Sequence, residues 1–378
     1  MNCPLENICG GCSLRHLSES DYQALKNERF KKCLSKLKIE DGKFNAPVFI
    51  PDGVRRRATF AFEYKKKKLT FGFNQKGSHQ IVDIEKCPLL TPELNKSLQA
   101  IRTLVENICK ETYTEKKGKK LLTKAVSAGD VFVCAADNGI DVVLEYDAEL
   151  PLAHRLVISE TIAAEDKIIR VSHRRTPMDE AETIVEKLRP IIHIGNYEVS
   201  IPAGTFLQPS KAGQEALSSL VLSYLKDIKG QVADLFCGVG TFSYVLAGLS
   251  GVKITAADSS KALLKGFQDS LNRNCLTNVR VENKNLFKYP YTENELKNFE
   301  AVVFDPPRAG AKALCAELAK CGGKPEIIVA VSCNPETFVN DAGQLLSGGW
   351  RLKEITMVDQ FVYSDHSELV ACFTKEKI

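Results

Sequence analysis

With 378 residues, 44% hydrophobic and 26% charged, the chain is long enough for two or three domains with a sizeable core. No apolar run approaches the ~18–20 residues of a membrane span and no apolar signal region opens the chain, so a soluble, cytoplasmic protein without a membrane partner is expected. The net charge of +4 is unevenly spread: residues 1–125 hold 25 Lys+Arg against 14 Asp+Glu, and residues 201–378 hold 19 of each.

The first feature along the chain is a set of cysteines. Cys3, Cys9 and Cys12 are spaced x5 then x2, and Cys87 stands far downstream. Thirteen cysteines, an odd number, in a chain without a secretory signal argue against a disulfide framework and for free thiols, a metal site or catalysis. Paired CxxC knuckles would suggest zinc. Three clustered thiols and one remote thiol point rather to a cuboidal iron–sulfur site, with zinc and unliganded cysteines as the alternatives.

A helix follows, with Tyr22, Leu25, Phe30, Leu34 and Leu37 roughly on one face. From about residue 44 to 195 the pattern changes to short alternating runs, among them ATFAFEY, LTFGFNQ, VFVCAA, DVVLEY and IIRVSH, with turn signals such as Asn138-Gly139. This predicts an α+β region with antiparallel sheet. Three basic runs stand in it: Arg55-Arg56-Arg57, Lys65 to Lys68, and Lys116, Lys117, Lys119 and Lys120. Together they predict a polyanion-binding surface, with phosphate contacts supplying affinity. A boundary is expected near 190–205, dividing residues 1–200 from 201–378.

The second half alternates strand and helix, the pattern of a doubly wound sheet. A helix carrying Leu217, Val221 and Leu225 leads into strands at 232–236, 252–258, near 279–281, 301–305 and 327–331. LKEITMV and ELVACF then form a terminal antiparallel hairpin, because their link is too short for a parallel crossover. In DLFCGVGTF (234–242), Gly238 and Gly240 let backbone approach a ligand at the carboxyl ends of the strands. Asp258 closes the next strand, where a carboxylate can accept from ribose hydroxyls of NAD or S-adenosylmethionine alike. FDPPRAG (304–310) narrows the choice. An Asp-Pro-Pro turn recurs in methyltransferases acting on bases, and Arg308 in place of an aromatic residue disfavours amino methylation.

In IIVAVSCNPETF (327–338), a buried strand ends at Cys333. Asn334 suits an N-cap, Pro335 the first helical position and Glu336 the first turn. Cys333 therefore precedes a helix N-terminus, whose partial positive charge favours a thiolate. A thiolate there has a use: uracil C5 is too weak a nucleophile to take a methyl group, and addition to C6 makes C5 an enolate carbon that can. The C5 proton must then leave before the thiol is eliminated. Glu368 begins an antiparallel last strand, so it lies on the same rim and is the candidate base, with His366 as its rival.

Phe206-Leu207-Gln208, DLFCGVGTF, FDPPR, SCNPETF and the terminal His366-Ser367-Glu368 together resemble the RNA uracil-5 (5-methyluridine) methyltransferase family over most of 204–370. The resemblance implies a Rossmann-like, S-adenosylmethionine-dependent domain, with Cys333 as nucleophile and Glu368 as proton acceptor. It implies a donor site lined by Gln208, Phe236, Asp258, Asn285 and Asp305. Several members carry a [4Fe–4S] cluster in the C-x5-C-x2-C…C pattern, which makes Cys3, Cys9, Cys12 and Cys87 its ligands and the first half an iron–sulfur and RNA-recognition region. A chain starting at the cluster cysteines lacks the N-terminal β-barrel RNA module of many members and most resembles the short 23S rRNA type, a monomer, with tRNA as the alternative substrate. The chain departs from the usual pattern in Phe206-Leu207, in Thr241 and in Phe361-Val362-Tyr363-Ser364. A cytosine-5 methyltransferase would need a group facing N3, for which no candidate stands out. A non-catalytic RNA-binding protein would leave the Cys333 and Glu368 pair without a use.

Overall fold

The computed structural model describes residues 3–37, 39, 42–117 and 120–375, apart from the side chains of 115–120. Lys119 and the side chains of Lys116, Lys117 and Lys120, part of the expected basic surface, therefore lie outside the described residues. Among those described, no helix is long and apolar enough to cross a membrane.

The chain forms two compact units. One comprises residues 1–13, 52–192 and 200–210, the other 14–51, 193–199 and 211–378. The expected boundary groups residues 14–51 with the first half; instead they belong to the second unit, because Phe30 and Leu34 bury themselves in its apolar core.

In the first unit a seven-stranded sheet runs in the order Glu182–Glu186, Ile168–Arg174, Gly139–Glu145, Ala128–Ala136, Arg57–Lys65, Lys68–Asn74, Ile81–Asp83. All neighbours pair antiparallel except Ile168–Arg174 with Gly139–Glu145, which are parallel. The helix Leu152–Ala163 lies between those two strands in sequence and serves as their crossover. The helix Pro92–Lys110 starts under a Thr91 cap with Pro92 in its first turn. It buries Leu94, Leu98, Ile101, Val105 and Ile108 in one core with Phe60, Phe62 and Phe71 of the sheet, so the 3.6-residue and 2-residue periodicities meet face to face.

In the second unit, helix α1 (Glu19–Leu34) is capped by Ser18, whose hydroxyl accepts from the Asp21 N–H at 3.2 Å. Its acidic first turn and basic last turn suit the helix dipole. Strands β1 (Gly230–Leu235), β2 (Val252–Asp258), β3 (Val279–Asn283), β4 (Ala301–Phe304) and β5 (Ile327–Ser332) are parallel. Strands β6 (Arg351–Asp359) and β7 (Glu368–Thr374) are antiparallel to one another, and β7 inserts between β5 and β6. The order is therefore β3-β2-β1-β4-β5-β7-β6, with short strands Lys43–Phe44 and Val48–Phe49 beside β6. Helices α2 (Lys211–Leu225), α3 (Thr241–Ala247), α4 (Lys261–Arg273), α5 (Lys312–Lys320) and α6 (Pro335–Ser347) complete the doubly wound unit. Because β1 to β5 are parallel and β7 runs the other way, the carboxyl ends of the first five and the start of β7 share one rim.

Candidate active site

On the β1 side of this rim the chain leaves the strand through Phe236 at φ 61°, a left-handed conformation costly for a bulky side chain, by ~1–3 kcal/mol. Gly240 follows at φ 88°, and a Cβ there would lie 2.3 Å from the Phe267 ring, so only glycine fits. Asp258 at the end of β2 accepts from the Gly238 N–H at 3.1 Å and from the Ser260 N–H at 2.9 Å, so its carboxylate is fixed beside the glycine turn. Asn285 accepts from the Phe287 and Lys288 N–H groups through its side-chain oxygen. Phe287, half exposed, packs its ring 5.3 Å from that of Phe236. Asp305 begins the turn after β4, where its N–H donates to the Leu235 carbonyl at 3.2 Å. The rim thus gathers Phe236, Asp258, Asn285 and Asp305 at the ends of neighbouring strands. Gln208 belongs to the first unit, where it is buried and its carbonyl accepts from Arg56 Nε at 2.9 Å.

On the β5 side, Asn334 does cap α6: its Oδ1 accepts from the Glu336 N–H at 3.1 Å. Its Nδ2 donates to the Arg308 carbonyl at 3.2 Å, a second bond that the Thr337 hydroxyl reinforces on the same carbonyl. One cap residue therefore ties the Asp-Pro-Pro-Arg turn to the turn bearing Cys333. In the β5–β7 register Ser332 faces Leu369, so the next step sets Cys333 opposite Glu368.

Glu368 is 2% exposed; its Oε2 accepts from Gln360 Nε2 at 2.8 Å, and its Oε1 has no partner among the described residues. Burial, and then the charge of Asp305, push its pKa well above the usual carboxylate range, with Gln360 opposing. Burial also pushes the Cys333 thiol up to about 12, with the Glu368 and Asp305 carboxylates adding to it and Arg308 opposing. This runs against the expectation drawn from the helix N-terminus: burial, and then the Glu368 and Asp305 charges, oppose the thiolate. His366 is exposed, and its Nδ1 lies 3.3 Å from the Arg308 guanidinium. Burial and the Arg308 and Lys26 charges lower its pKa.

Three features of the site carry no clear signal in the sequence. Gln360 holds the candidate base, but a lone glutamine before a loop is unremarkable. Asp234, fully buried, accepts from the Ser243 hydroxyl at 2.6 Å and locks the glycine turn to α3; its burial raises its pKa to about 7. Its place at the end of an apolar strand is the available clue. The third is Lys26 of α1, buried between Leu25 and Asn27.

In the first unit the basic surface needs correction. Arg56 is buried, with its Nε spent on the Gln208 carbonyl. Arg55 Nε donates to the Arg57 carbonyl at 3.0 Å, and the Arg57 guanidinium lies 4.2 Å from the centre of the exposed Phe206 ring. This run is structural, whereas Lys65 to Lys68 are all exposed at a hairpin tip. Lys66 and Lys67 there hold φ of 51° and 62°, positions where glycine or asparagine is easier.

The four amino-terminal cysteines of interest are half-buried and unpaired by disulfides. Cys9 pairs with Gln75 in an isolated bridge, and its sulfur accepts from the Gly11 N–H at 3.4 Å. The Cys87 backbone is clasped by Asn95, which accepts from its N–H at 2.9 Å and donates to its carbonyl at 3.0 Å. Cys3 and Cys9 raise the Cys87 pKa beyond the effect of its burial, and Cys87 and Cys12 both act on Arg55, so the four thiols share one neighbourhood. Among the described residues no three of His, Cys, Asp and Glu are drawn together tightly enough to hold a metal ion. The donor set and its neighbourhood fit a thiolate-bound group; the side chains are not gathered around one.

A sheet of this order, with a glycine turn after its first strand, defines an S-adenosylmethionine-dependent methyltransferase. The chain belongs to the tRNA (Uracil-5-)-methyltransferase family, whose model matches residues 20–376, and it is an RNA methyltransferase. It is 38% identical to an uncharacterized RNA methyltransferase of Agrobacterium fabrum, over 98% of this chain and 83% of that one. It is 28% identical to the 23S rRNA (uracil(1939)-C(5))-methyltransferase RlmD of Pectobacterium atrosepticum, over 98% and 79%. The crystal structure of Pyrococcus abyssi tRNA (uracil-54, C5)-methyltransferase with S-adenosyl-L-homocysteine shares the fold, with a TM-score of 0.70 at 23% identity over 99% and 87% of the two chains.

Proposed function

We propose that this chain methylates C5 of a uridine in 23S ribosomal RNA, with Cys333 as nucleophile and Glu368 as base. The observation that carries this reading is that the β5–β7 register ends at Ser332 opposite Leu369, which brings the next residues, Cys333 and the buried Glu368, close enough for the Glu368 charge to act on the thiol. The ribosomal substrate is favoured by the Pectobacterium relative; tRNA, named in the family's description, is the alternative.

In this reading Phe236, Asp258, Asn285 and Asp305 hold the donor. The bound donor supplies a methyl group on a cationic sulfonium, a charge that favours the ionised forms of the thiol and the carboxyl beside it. The Cys333 thiolate adds to C6, and the C5–C6 electron pair moves onto the C4 carbonyl as an enolate. C5 then forms its bond to the methyl carbon as the methyl–sulfonium bond breaks, its electron pair remaining on the sulfur as a neutral thioether. Glu368 takes the C5 proton through its unpartnered Oε1, the enolate re-forms, and the C6–S bond breaks to return the thiolate. A carboxylate made more basic by burial suits removal of a proton from carbon.

Nucleoside mass spectrometry of a deletion strain, with rRNA and tRNA separated, tests the substrate. One 5-methyluridine should vanish from 23S rRNA and return with the wild-type gene. Loss confined to tRNA would establish the alternative, and no loss in either would remove both.

Cys3, Cys9, Cys12 and Cys87 are proposed to hold a [4Fe–4S] cluster, a structural tie between the amino-terminal turn and the turn that Asn95 clasps. Anaerobically purified protein should then contain iron and sulfide at about four each per chain. Cys87→Ala should remove the brown colour and lower the melting temperature. Stoichiometric zinc without iron would end this assignment.

A further inference from the structure

Helix α1 buries a lysine. Lys26 is 1% exposed, on the face of α1 that also buries Tyr22, Phe30 and Leu34. An ammonium has three N–H donors. Lys26 Nζ donates to the Ser364 carbonyl at 3.0 Å and to the His366 carbonyl, and lies 2.8 Å from Asp359 Oδ1 as an ion pair. Asp359 ends β6, and Ser364 and His366 belong to the segment 360–367 that leads into Glu368.

Other groups of the same region close on this segment. Tyr22 donates its hydroxyl to Asp359 Oδ2 and accepts from the Tyr363 N–H at 3.0 Å. Tyr363 stands at φ 57°, strained for a bulky residue, with its ring 5.0 Å from that of Tyr22 and the Arg15 guanidinium 4.6 Å from its centre. Its carbonyl accepts from the Leu14 N–H at 3.0 Å. Phe361-Val362-Tyr363-Ser364, where the sequence departs from the usual family pattern, is therefore held by residues 14–26 of this same chain.

We propose that Lys26 is a positioning residue for uridine methylation: by tying α1 to the end of β6 and to the carbonyls of 364 and 366, it sets Glu368 against Cys333. The inference rests on Glu368 as the base. A buried ion pair is a poor source of stability, since apolar residues of similar volume often serve as well or better. What Lys26 offers that a methionine cannot is an ion pair with the end of β6 and two hydrogen bonds to the carbonyls of the segment leading into Glu368. Glu368 starts β7, where side chains alternate between faces, so a small shift of the preceding segment changes what its carboxyl meets.

The test uses the full chain in two variants, with total RNA from a deletion strain as substrate and S-adenosylmethionine labelled in its methyl group. Lys26→Met with Asp359→Asn removes both charges and leaves an amide oxygen able to accept from Tyr22, so no buried charge is orphaned. Phe30→Ala removes apolar packing from the same face of α1. For the first variant kcat should fall about 10- to 100-fold, the cost of displacing a catalytic group by about 1 Å. KM for the donor should stay unchanged, and a methyl-labelled protein–RNA adduct should accumulate because proton removal is slowed. Phe30→Ala should lower the melting temperature and leave kcat of the folded protein unchanged. Wild-type kcat without adduct in the lysine variant, or an equal fall of kcat in Phe30→Ala, overturns the inference. A Glu368→Gln protein that turns over freely overturns the base assignment instead; one that traps adduct while the lysine variant turns over normally overturns the role of Lys26 alone.

Discussion

Cys333→Ala should form no covalent RNA adduct and no 5-methyluridine at any donor concentration. Without addition to C6 there is no enolate at C5, and raising the donor cannot substitute for a missing nucleophile. The fall in turnover should be at least about 10⁴-fold, as when a nucleophile is removed from other enzymes. The rest of the rim should survive. Asn334 caps α6 through its own side chain, and the Arg308 carbonyl is held by Asn334 and Thr337, so none of these bonds involves the sulfur. Donor binding by calorimetry should therefore be close to wild type. Residual methylation above background, measured with labelled donor, would reassign the nucleophile.

Glu368→Gln should give the opposite phenotype. The amide keeps the shape of the side chain and lies within reach of Gln360, while the thiol and the donor-side residues are untouched. Addition and methyl transfer should proceed, and the C5 proton should then have nowhere to go. The expected product is a methylated, covalent protein–RNA species that migrates slowly on a denaturing gel and carries the donor's label. If His366 is the base, His366→Ala should trap that species while Glu368→Gln turns over. The geometry opposes this outcome: His366 is exposed and engaged with Arg308, whereas Glu368 is buried with one unpartnered oxygen.

Much of the second unit is legible in the sequence because its signals are local. Four apolar runs, β1, β2, β4 and β5, end at or just before a glycine, a proline or a carboxylate, and each is a strand ending at the rim. Asn334-Pro335-Glu336 reads as a helix start because capping depends on three adjacent residues. What does not show is nonlocal. The parallel pairing of Ile168–Arg174 depends on which neighbour a strand finds, and its residues are those of any buried strand. Periodicity puts Leu25 on the buried face of α1, yet it is only half-buried while its neighbour Lys26 is enclosed, because a lysine's partners lie more than 330 residues away in sequence. Arg56 reads as part of a phosphate surface for the same reason, since charge is visible in a sequence and burial is not. The helix terminus beside Cys333 is local and legible, whereas what opposes its acidity, burial first and then carboxylates from β7 and the turn after β4, is not.

The insertion of β7 between β5 and β6 has a consequence for how the protein is made. Strand β5, with Cys333 at its tip, and the strands before it precede β7 in the chain. During synthesis the glycine turn, Asp258 and the cysteine therefore exist before Glu368 has been added, and β5 waits with one edge unpaired. A chain interrupted before β7 holds the proposed nucleophile Cys333 without the proposed base Glu368. In the proposed reaction, turnover is complete only once β7 occupies its slot between β5 and β6.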